Sequence, residues 1–404
     1  MGDIHSVTEE KPRVPRPRSA GRRQLLAALG THGTDSRGGL AARTGLSAAA
    51  VSNLVADLIA DGVVTETQQV LPGAGAASRR GRPAYLLTLR PPQGVVVGID
   101  VGNTHVRVAA APVDGPAAAE RSVTAGTASL DHTLDLVEEL VSEVLAEAGA
   151  HVSDVLRIVL GVPVPLEQGS GRVADNNLLP RWVSHRPGAE LAKRLGIDVV
   201  VENDANLGAL GELQDNPEGV RTLAYIKLGT GIGAGLVTDG RLFRGEGGTA
   251  GELGHVQVDP AGVLCRCGSR GCLETVVSVP RLIAALAPVT SDDLTPDDFG
   301  ALVADGHPGA VRIVTDAGRT VGRVVASLVT VLNPGLVVLG GSVAPLNELL
   351  AGCIRTAVDE WATPAAASRV EVRASARGER GEVEGALALA SELAQEAHRA
   401  ALMG

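Results

Sequence analysis

Three of the four cysteines fall within one short segment: Cys265, Cys267 and Cys272 form a C-x-C-G-x-x-G-C knot, and His255 precedes it by ten residues. Three thiolates and one imidazole complete a tetrahedral zinc shell with no position left for water, so the pattern points to a structural metal rather than a hydrolytic one. Gly268 and Gly271 permit the tight turns that bring three sulfurs onto one ion. The alternatives are three reduced thiols or a disulfide. Disulfides are rare in the cytosol, and Cys265 and Cys267 are too close to bridge comfortably. A zinc-bound histidine keeps its other ring N–H for a further acceptor. Glu252 and Glu274 flank the same stretch, so a metal would fix three polar groups relative to one another.

Other constellations lie upstream. Val199-Val200-Val201 reads as a strand running into Glu202-Asn203-Asp204-Ala205-Asn206. An Asn-Asp pair at a strand's carboxyl end can hydrogen-bond adjacent hydroxyls, and the aspartate can act as general base on an attacking hydroxyl. The same pair can equally serve as a polar helix cap. Asp100, Gly102 and Thr104 form D-x-G-x-T between two apolar runs, and Gly229, Thr230 and Gly231 form a second Gly-rich turn after Leu223–Lys227. Such turns face phosphate with backbone N–H groups and a threonine hydroxyl, and the aspartate can hold a hydrated magnesium ion. No Walker-type lysine is present, which argues against a P-loop enzyme. Two such turns, each between strands, suggest the two halves of a ribonuclease-H-like ATPase core.

The elements that position these groups form an α/β pattern. A helix around Leu134–Ala148 and a strand, Leu156–Val162, follow the first turn; later a long helix, about Ala310–Leu332, stops at Asn333-Pro334. A strand, Leu336–Leu339, meets Gly340-Gly341, and a last helix, about Gly381–Ala400, is expected to pack back on the first half. Cys353 stands apart and reads as a small core residue. We expect a first lobe over 91–220 joined by the terminal helix 381–404, and a second lobe over 221–380 carrying the cysteine knot.

The charge is uneven. Residues 1–90 hold twelve Lys/Arg against seven Asp/Glu, a net of +5, while the whole chain has a formal charge of −10. A basic end on an acidic body suggests that only that end meets a polyanion. Aromatic residues make up 1% of the chain, so stacking platforms are scarce. No secretory signal or membrane-length apolar run is present, and the chain reads as cytoplasmic with no membrane partner.

Residues 1–18 read as a disordered cationic arm, with Pro12, Pro15 and Pro17 blocking helix. Over 19–90 the pattern changes to a helix ended by Gly30, a second ended by Gly45, and a third capped by Ser47 and stopped by Gly62. This matches a helix-turn-helix whose third helix exposes Ser47, Ala48, Ala49, Ser52 and Asn53. Serine and asparagine can reach base edges, and alanine can touch a thymine methyl. A helical bundle used for dimerisation is the alternative. Val63–Thr65 and the alternation of Tyr85, Leu87 and Leu89 supply the strands of a wing. Arg79, Arg80 and Arg82 around Gly81 form a loop end narrow enough for a minor groove, or else a solvated linker.

E-x-G-H over 252–255 followed by C-x-C-G-x-x-G-C-x-E resembles the signature of the ROK family of repressors, uncharacterised frames and sugar kinases. The likeness runs from about Arg22 to the C-terminus, and the N-terminal helices mark the repressor branch. It implies a structural zinc on His255, Cys265, Cys267 and Cys272, and a sugar or sugar phosphate held by Asn203, Asp204, Glu252, His255 and Glu274. Gly340-Gly341 resembles the family's adenosine contact, and the loop holding Asp175, Asn176, Asn177 and Trp182 resembles its sugar-adjacent segment. Two departures stand out: Asn103 replaces the glycine of the family's kinases, where its side chain crowds a phosphate, and Val164-Pro165 replaces a glycine-containing turn. The fold expected is a winged helix-turn-helix followed by a two-lobed actin- or hexokinase-type body. The function expected is a sugar-responsive repressor acting on double-stranded operator DNA as a homodimer or homotetramer. The competing readings are an ATP- and magnesium-dependent hexose kinase with Asp204 as its base, or a body that only dimerises.

Overall fold

The computed structural model describes residues 20–68, 85–126, 129–167, 169–174, 182–214, 219–290, 294–341 and 344–403. The chain divides into two units, Met1–Pro92 with Gln395–Gly404, and Gln93–Ala394.

The first unit contains α1 (Ala20–His32), β1 (Thr34–Ser36), α2 (Arg37–Thr44), α3 (Ala48–Ala60), β2 (Val64–Gln68) and β3 (Tyr85–Leu89). Leu25, Leu29, Leu40, Val55, Leu58 and Leu87 close a small core between the helices and the sheet. Serine caps start two helices: Ser36 Oγ accepts from Gly39 N–H at 3.0 Å, and Ser47 Oγ accepts from Ala50 N–H at 3.2 Å. Gly45 and Gly62 end α2 and α3 with φ of 71° each, as the sequence implies. The first helix differs from expectation. It runs through Gly30 to His32 and turns at Gly33, where φ is 75°. Burial of Leu25, Leu26 and Leu29 outweighs the cost of about 1 kcal/mol for a mid-helix glycine. Three-residue β1 was not expected; it pairs antiparallel with β3, which also pairs with β2. The wing-tip arginines Arg79, Arg80 and Arg82 and the arm over 1–18 lie outside the described residues.

The body holds two five-stranded sheets. The first is built from β4 (Val95–Val101), β5 (His105–Pro112), β6 (Ala119–Thr124), β7 (Val155–Val162) and β8 (Val199–Asn203), with α4 (Leu130–Glu147), α5 (Pro187–Leu195) and α6 (Asp204–Gln214). The second is built from β9 (Leu223–Leu228), β10 (Ile232–Thr238), β11 (Arg241–Leu242), β12 (Leu336–Gly340) and β13 (Glu371–Ala374). With it run α7 (Glu274–Val277), α8 (Val279–Leu286), α9 (Pro296–Ala304), α10 (Pro308–Leu332), α11 (Ala344–Trp361) and α12 (Pro364–Ala367), and the chain ends in α13 (Gly381–Met403).

The sheet orders are β6-β5-β4-β7-β8 and β11-β10-β9-β12-β13. Counted within each lobe, both read 3-2-1-4-5, with the first three strands antiparallel and the last two parallel. The repeat is what a duplicated ribonuclease-H-like half produces. Tight turns link the antiparallel strands, whereas parallel return needs helical crossovers such as α4 and α5. Each first hairpin carries one of the Gly-rich turns, so both turns face the space between lobes.

Helix α10 is long because its starts and stops are explicit. His307 Nδ1 accepts from Ala310 N–H at 3.3 Å, Pro308 fixes the first turn, and Asn333 ends it with φ of 49°. Its buried stripe includes Val314, Val321 and Val325, and Gly318 lets Cys353 of α11 approach closely. Through Val383, Ala386 and Ala390, α13 packs on Val96, Ala109 and Val159 of the first lobe. Among the described residues no helix is long and apolar enough to cross a membrane.

Candidate functional site

One cavity between the lobes collects Asp100, Gly102 and Thr104 from the first hairpin, Asn203 and Asp204 from the end of β8, and Gly229, Thr230 and Gly231 from the second hairpin. Glu252, His255 and Glu274 reach it from the cysteine-rich segment, and Gly341 from the end of β12. Residues spread over more than two hundred positions thus meet because both hairpins and β8 end at the same cleft.

The cysteine-rich segment is folded by its glycines and two isolated bridges, Gln257 with Cys272 and Leu264 with Arg270. Gly268 and Gly271 have φ of 89° and 62°, and a Cβ on Gly271 would collide with the Asp259 carbonyl. His255, Cys265, Cys267 and Cys272 place one donor atom each within 4.8 Å of all the others. Cys267 Sγ and Cys272 Sγ are 3.7 Å apart, and His255 Nδ1 lies 3.6 Å from Cys265 Sγ. A tetrahedral ion with bonds of about 2.3 Å to sulfur and about 2.0 Å to nitrogen requires edges of roughly 3.5–3.8 Å. These two separations match a four-coordinate metal, the whole set lies within 4.8 Å, and no disulfide links these cysteines. Burial pushes the Cys272 thiol up to about 12, with the sulfurs of Cys267 and Cys265 adding to it. A bound cation is what would let all three ionise together.

With Nδ1 turned to the sulfurs, His255 Nε2 faces Glu252 Oε2 at 3.6 Å on the cavity side. Burial, then Asp204 and Glu274, raise the Glu252 carboxyl to about 7. Glu274 is buried and both its oxygens have partners: Arg266 donates to Oε1 through Nε at 2.9 Å and Nη2 at 2.8 Å, and Ile232 N–H donates to Oε2 at 3.1 Å.

At the end of β8 the cap and the site coexist. Asn203 Oδ1 accepts from Ala205 N–H at 3.0 Å and Asn206 N–H at 3.3 Å, which caps α6, while Asn203 also lines the cavity. Asp204 Oδ1 accepts from Ala205 N–H at 2.8 Å. Its Oδ2 accepts from Lys227 Nζ at 2.8 Å, and the ammonium also lies 3.3 Å from Glu382 Oε1. Burial alone would lower the Lys227 pKa, but Asp204, Glu382 and Asp100 hold it above the ordinary lysine value. Glu382 is shifted upward by burial and by Asp100 and Asp204, against the pull of Lys227. Asp100 is buried, yet Lys227, His105 and Arg107 outweigh that burial and hold its carboxyl below the usual range.

The two Gly-rich turns touch. Asn103 Nδ2 donates to Thr230 Oγ1 at 2.6 Å across the cleft, and His105 Nε2 lies 2.9 Å from Asp100 Oδ2. Gly340 is in β12, packed so closely on Tyr225 that a Cβ would strike the phenol; Tyr225 O–H donates to Glu382 Oε1 at 3.1 Å. Trp182 is fully buried in the first-lobe core rather than on a rim, and Asp175, Asn176 and Asn177 lie outside the described residues. Lys227, Arg266 and Glu382 were missed from sequence. Lys227 carried a signal, since it is the one charged residue in the apolar strand LAYIKL; Glu382 carried none.

In the first unit, Ser47, Ala48, Ala49, Ser52 and Asn53 are all exposed on one end of α3, while Val51, Val55 and Leu58 are buried. Ser47 is at once the cap of that helix and part of its open face.

A winged helical unit in one chain with a duplicated, two-lobed body whose cleft gathers carboxylates and a His/Cys3 cluster defines a class that includes both sugar regulators and sugar kinases. The chain belongs to the ROK family, whose sequence profile matches residues 96–393. The MarR family profile matches residues 19–70. The chain is 28% identical to a xylose repressor of Caldicellulosiruptor bescii over 85% of this chain and 88% of that protein. It is 31% identical to a glucokinase of Thermotoga maritima over 74% of this chain and 98% of that enzyme. A solved ROK family transcriptional regulator, described as a homolog of the E. coli MLC protein, superposes with a TM-score of 0.73 at 25% identity, covering 95% of this chain and 98% of that one.

Proposed function

We propose that the protein is a sugar-responsive transcriptional repressor that binds operator DNA through the exposed end of α3 and senses a hexose or close derivative in the body. The observation that carries this reading is the cavity itself. It brings together Asn203, Asp204, Glu252, His255 and Glu274, groups able to bind hydroxyls, while Lys227 holds the carboxylate a kinase would need as its base. The repressor relative and the regulator structure, both covering most of the chain, support the same reading.

In this reading zinc occupies the His255, Cys265, Cys267 and Cys272 cluster, which positions His255 Nε2 and Glu252 for the sugar. Asn203 and Asp204 take hydroxyls from the opposite wall. The chain acts as a homodimer or a dimer of dimers, because one recognition helix reads too few base pairs for a specific operator. Wing-tip arginines Arg79, Arg80 and Arg82 add minor-groove contacts.

The kinase reading has one specific support, Asp204 at the end of β8, the position a general base on an attacking hydroxyl takes. Selection of duplexes from a random pool by the full chain, followed by titration of the selected complex with glucose, xylose, mannose and N-acetylglucosamine, separates the two. The repressor reading expects a selected pseudo-palindrome released by one sugar. Sugar-dependent ATP hydrolysis without any selected duplex overturns it.

A further inference from the structure

We propose, resting on the sugar-sensing reading above, that the site takes a free, uncharged sugar and rejects its phosphate ester. The ligand class follows from what the phosphate end of the cavity does with its own groups.

A site for a phosphoryl group needs donors left open toward the cleft, usually backbone N–H groups in a Gly-rich turn and an unengaged cation. Here Gly102 N–H donates to His105 O at 3.0 Å, Gly229 N–H to Gly231 O at 3.0 Å, and Ile232 N–H to Glu274 Oε2 at 3.1 Å. The Thr230 hydroxyl is held by Asn103 at 2.6 Å, which also ties the two turns together where a phosphate chain would pass. Both turns have the glycines of a phosphate cradle, yet these three N–H groups point back at the protein, and the Thr230 oxygen accepts from Asn103.

The charges point the same way. Six carboxyl groups line the cavity, from Asp100, Asp204, Glu252, Glu274, Glu379 and Glu382, with Glu252 raised by burial to about 7, against the ammonium of Lys227 and the guanidinium of Arg266. Both cations are engaged, Lys227 by Asp204 and Glu382 and Arg266 by Glu274. Asp100 Oδ1 is buried without a hydrogen-bond partner, although His105, Lys227 and Arg107 stand near the carboxylate. A sugar phosphate brings a charge of about −1.5 to −2 near neutral pH into this field. Like-charge juxtaposition in a desolvated pocket costs enough to set specificity by repulsion. Sugar hydroxyls meet no such penalty, since they donate to carboxylates. Lys227 and Asn103 are then specificity-determining residues: one places a fixed internal cation between Asp204 and Glu382, and the other closes the phosphate end.

Isothermal titration of the full chain with glucose, xylose, mannose and N-acetylglucosamine, each beside its terminal phosphate ester, tests this. We expect one free sugar to bind and its ester to bind more than about tenfold more weakly, a gap that narrows as added salt screens the carboxylates. An ester that binds within tenfold of its parent sugar, or more tightly, overturns the inference while leaving sugar sensing intact. Binding of neither free sugars nor esters overturns the sugar-sensing reading, and this inference with it.

Discussion

Lys227 Nζ donates to Asp204 Oδ2 at 2.8 Å, joining the strand before the second Gly-rich turn to the first residue of α6. The ammonium stands among three carboxylates, with Glu382 at 3.3 Å and Asp100 close enough to raise its pKa. Removing one carboxylate therefore differs from removing the cation. Asp204→Asn keeps two anions around Lys227, whereas Lys227→Met leaves three buried anions facing one another.

Lys227→Met is accordingly the more destabilising change. Loss of one partner of a buried pair costs about 3–5 kcal/mol, and we expect Asp204→Asn to fall below that range and Lys227→Met within or above it. The sign with pH follows. A lysine whose folded pKa is raised keeps its full contribution below the unfolded value of 10.5 and loses it only above that. Lys227 itself thus contributes no pH dependence near neutrality. In Lys227→Met the surviving carboxylates, Glu382 first because it is already shifted upward, take up protons on folding. Its stability should rise as pH falls from neutral toward 5. Denaturant melts of both variants at two pH values measure this; equal losses at both would contradict it.

The metal cluster gives a second outcome. Freshly purified, reduced protein should carry about one zinc per chain, and Cys272→Ser should lose it. Because Cys272 is fully buried beside Leu273, the loss also loosens the segment bearing Glu274. Each 1 kcal/mol lost lowers Tm by roughly 2–4 °C in a domain of this size, so a fall of several degrees is expected. Elemental analysis that finds no metal in the parent protein ends the zinc assignment.

How much of this was legible in the sequence depended on whether a group's role was local. The cysteine knot, the two Gly-rich turns and the caps Ser47, Gly45 and Gly62 are set by neighbours within a few positions, and the folded chain places them as their spacing implies. The repeated sheet order was legible as two similar turns, each between strands. Gly30 misled because a buried leucine face carried the helix past it. Trp182 misled because position in a loop says nothing of burial, and the side chain turns into the core. Lys227, Arg266 and Glu382 stayed hidden because their partners lie 23, 8 and 157 residues away, on Asp204, Glu274 and Tyr225.

Arg266 separates sugar binding from metal binding. It sits between two cysteines of the cluster but spends its guanidinium on Glu274 Oε1. Arg266→Ala should leave the metal content unchanged, free Glu274 to rotate, and weaken sugar affinity by the worth of a charge-assisted orientation, about 1.5–3 kcal/mol. Calorimetry with sugar beside elemental analysis of the same sample reads both. Metal loss in this variant would assign Arg266 to the cluster instead.

Ser47 and Asn53 share the exposed end of α3 but act differently. Ser47→Ala removes the cap on Ala50 N–H and should cost about 1 kcal/mol of stability in the first unit. Asn53→Ala touches no hydrogen bond that holds the helix and should leave stability within about 0.5 kcal/mol. It should instead relax base preference at one position by about 1–3 kcal/mol. Thermal melts and duplex selection on the two variants distinguish the roles, and an unchanged consensus with Asn53→Ala removes it from the recognition face.

Sugar and DNA must then influence each other symmetrically. If the sugar changes DNA affinity by some factor, DNA changes sugar affinity by the same factor, because both describe one coupling free energy of about 1–3 kcal/mol. That corresponds to roughly 5–150-fold in either titration. Asp204→Asn should reduce both factors together and equally, since Asn still donates and accepts at the same position while its pairing with Lys227 weakens. The measurement is a pair of titrations at one fixed salt concentration: fluorescence anisotropy of a labelled duplex with and without saturating sugar, and calorimetry of sugar with and without saturating duplex. Salt must be held constant because phosphate contacts make DNA affinity fall steeply with it. Equal factors in parent and variant alike support a sugar sensor. A sugar that binds with the same affinity whether or not duplex is present leaves the two activities uncoupled, and the repressor reading fails.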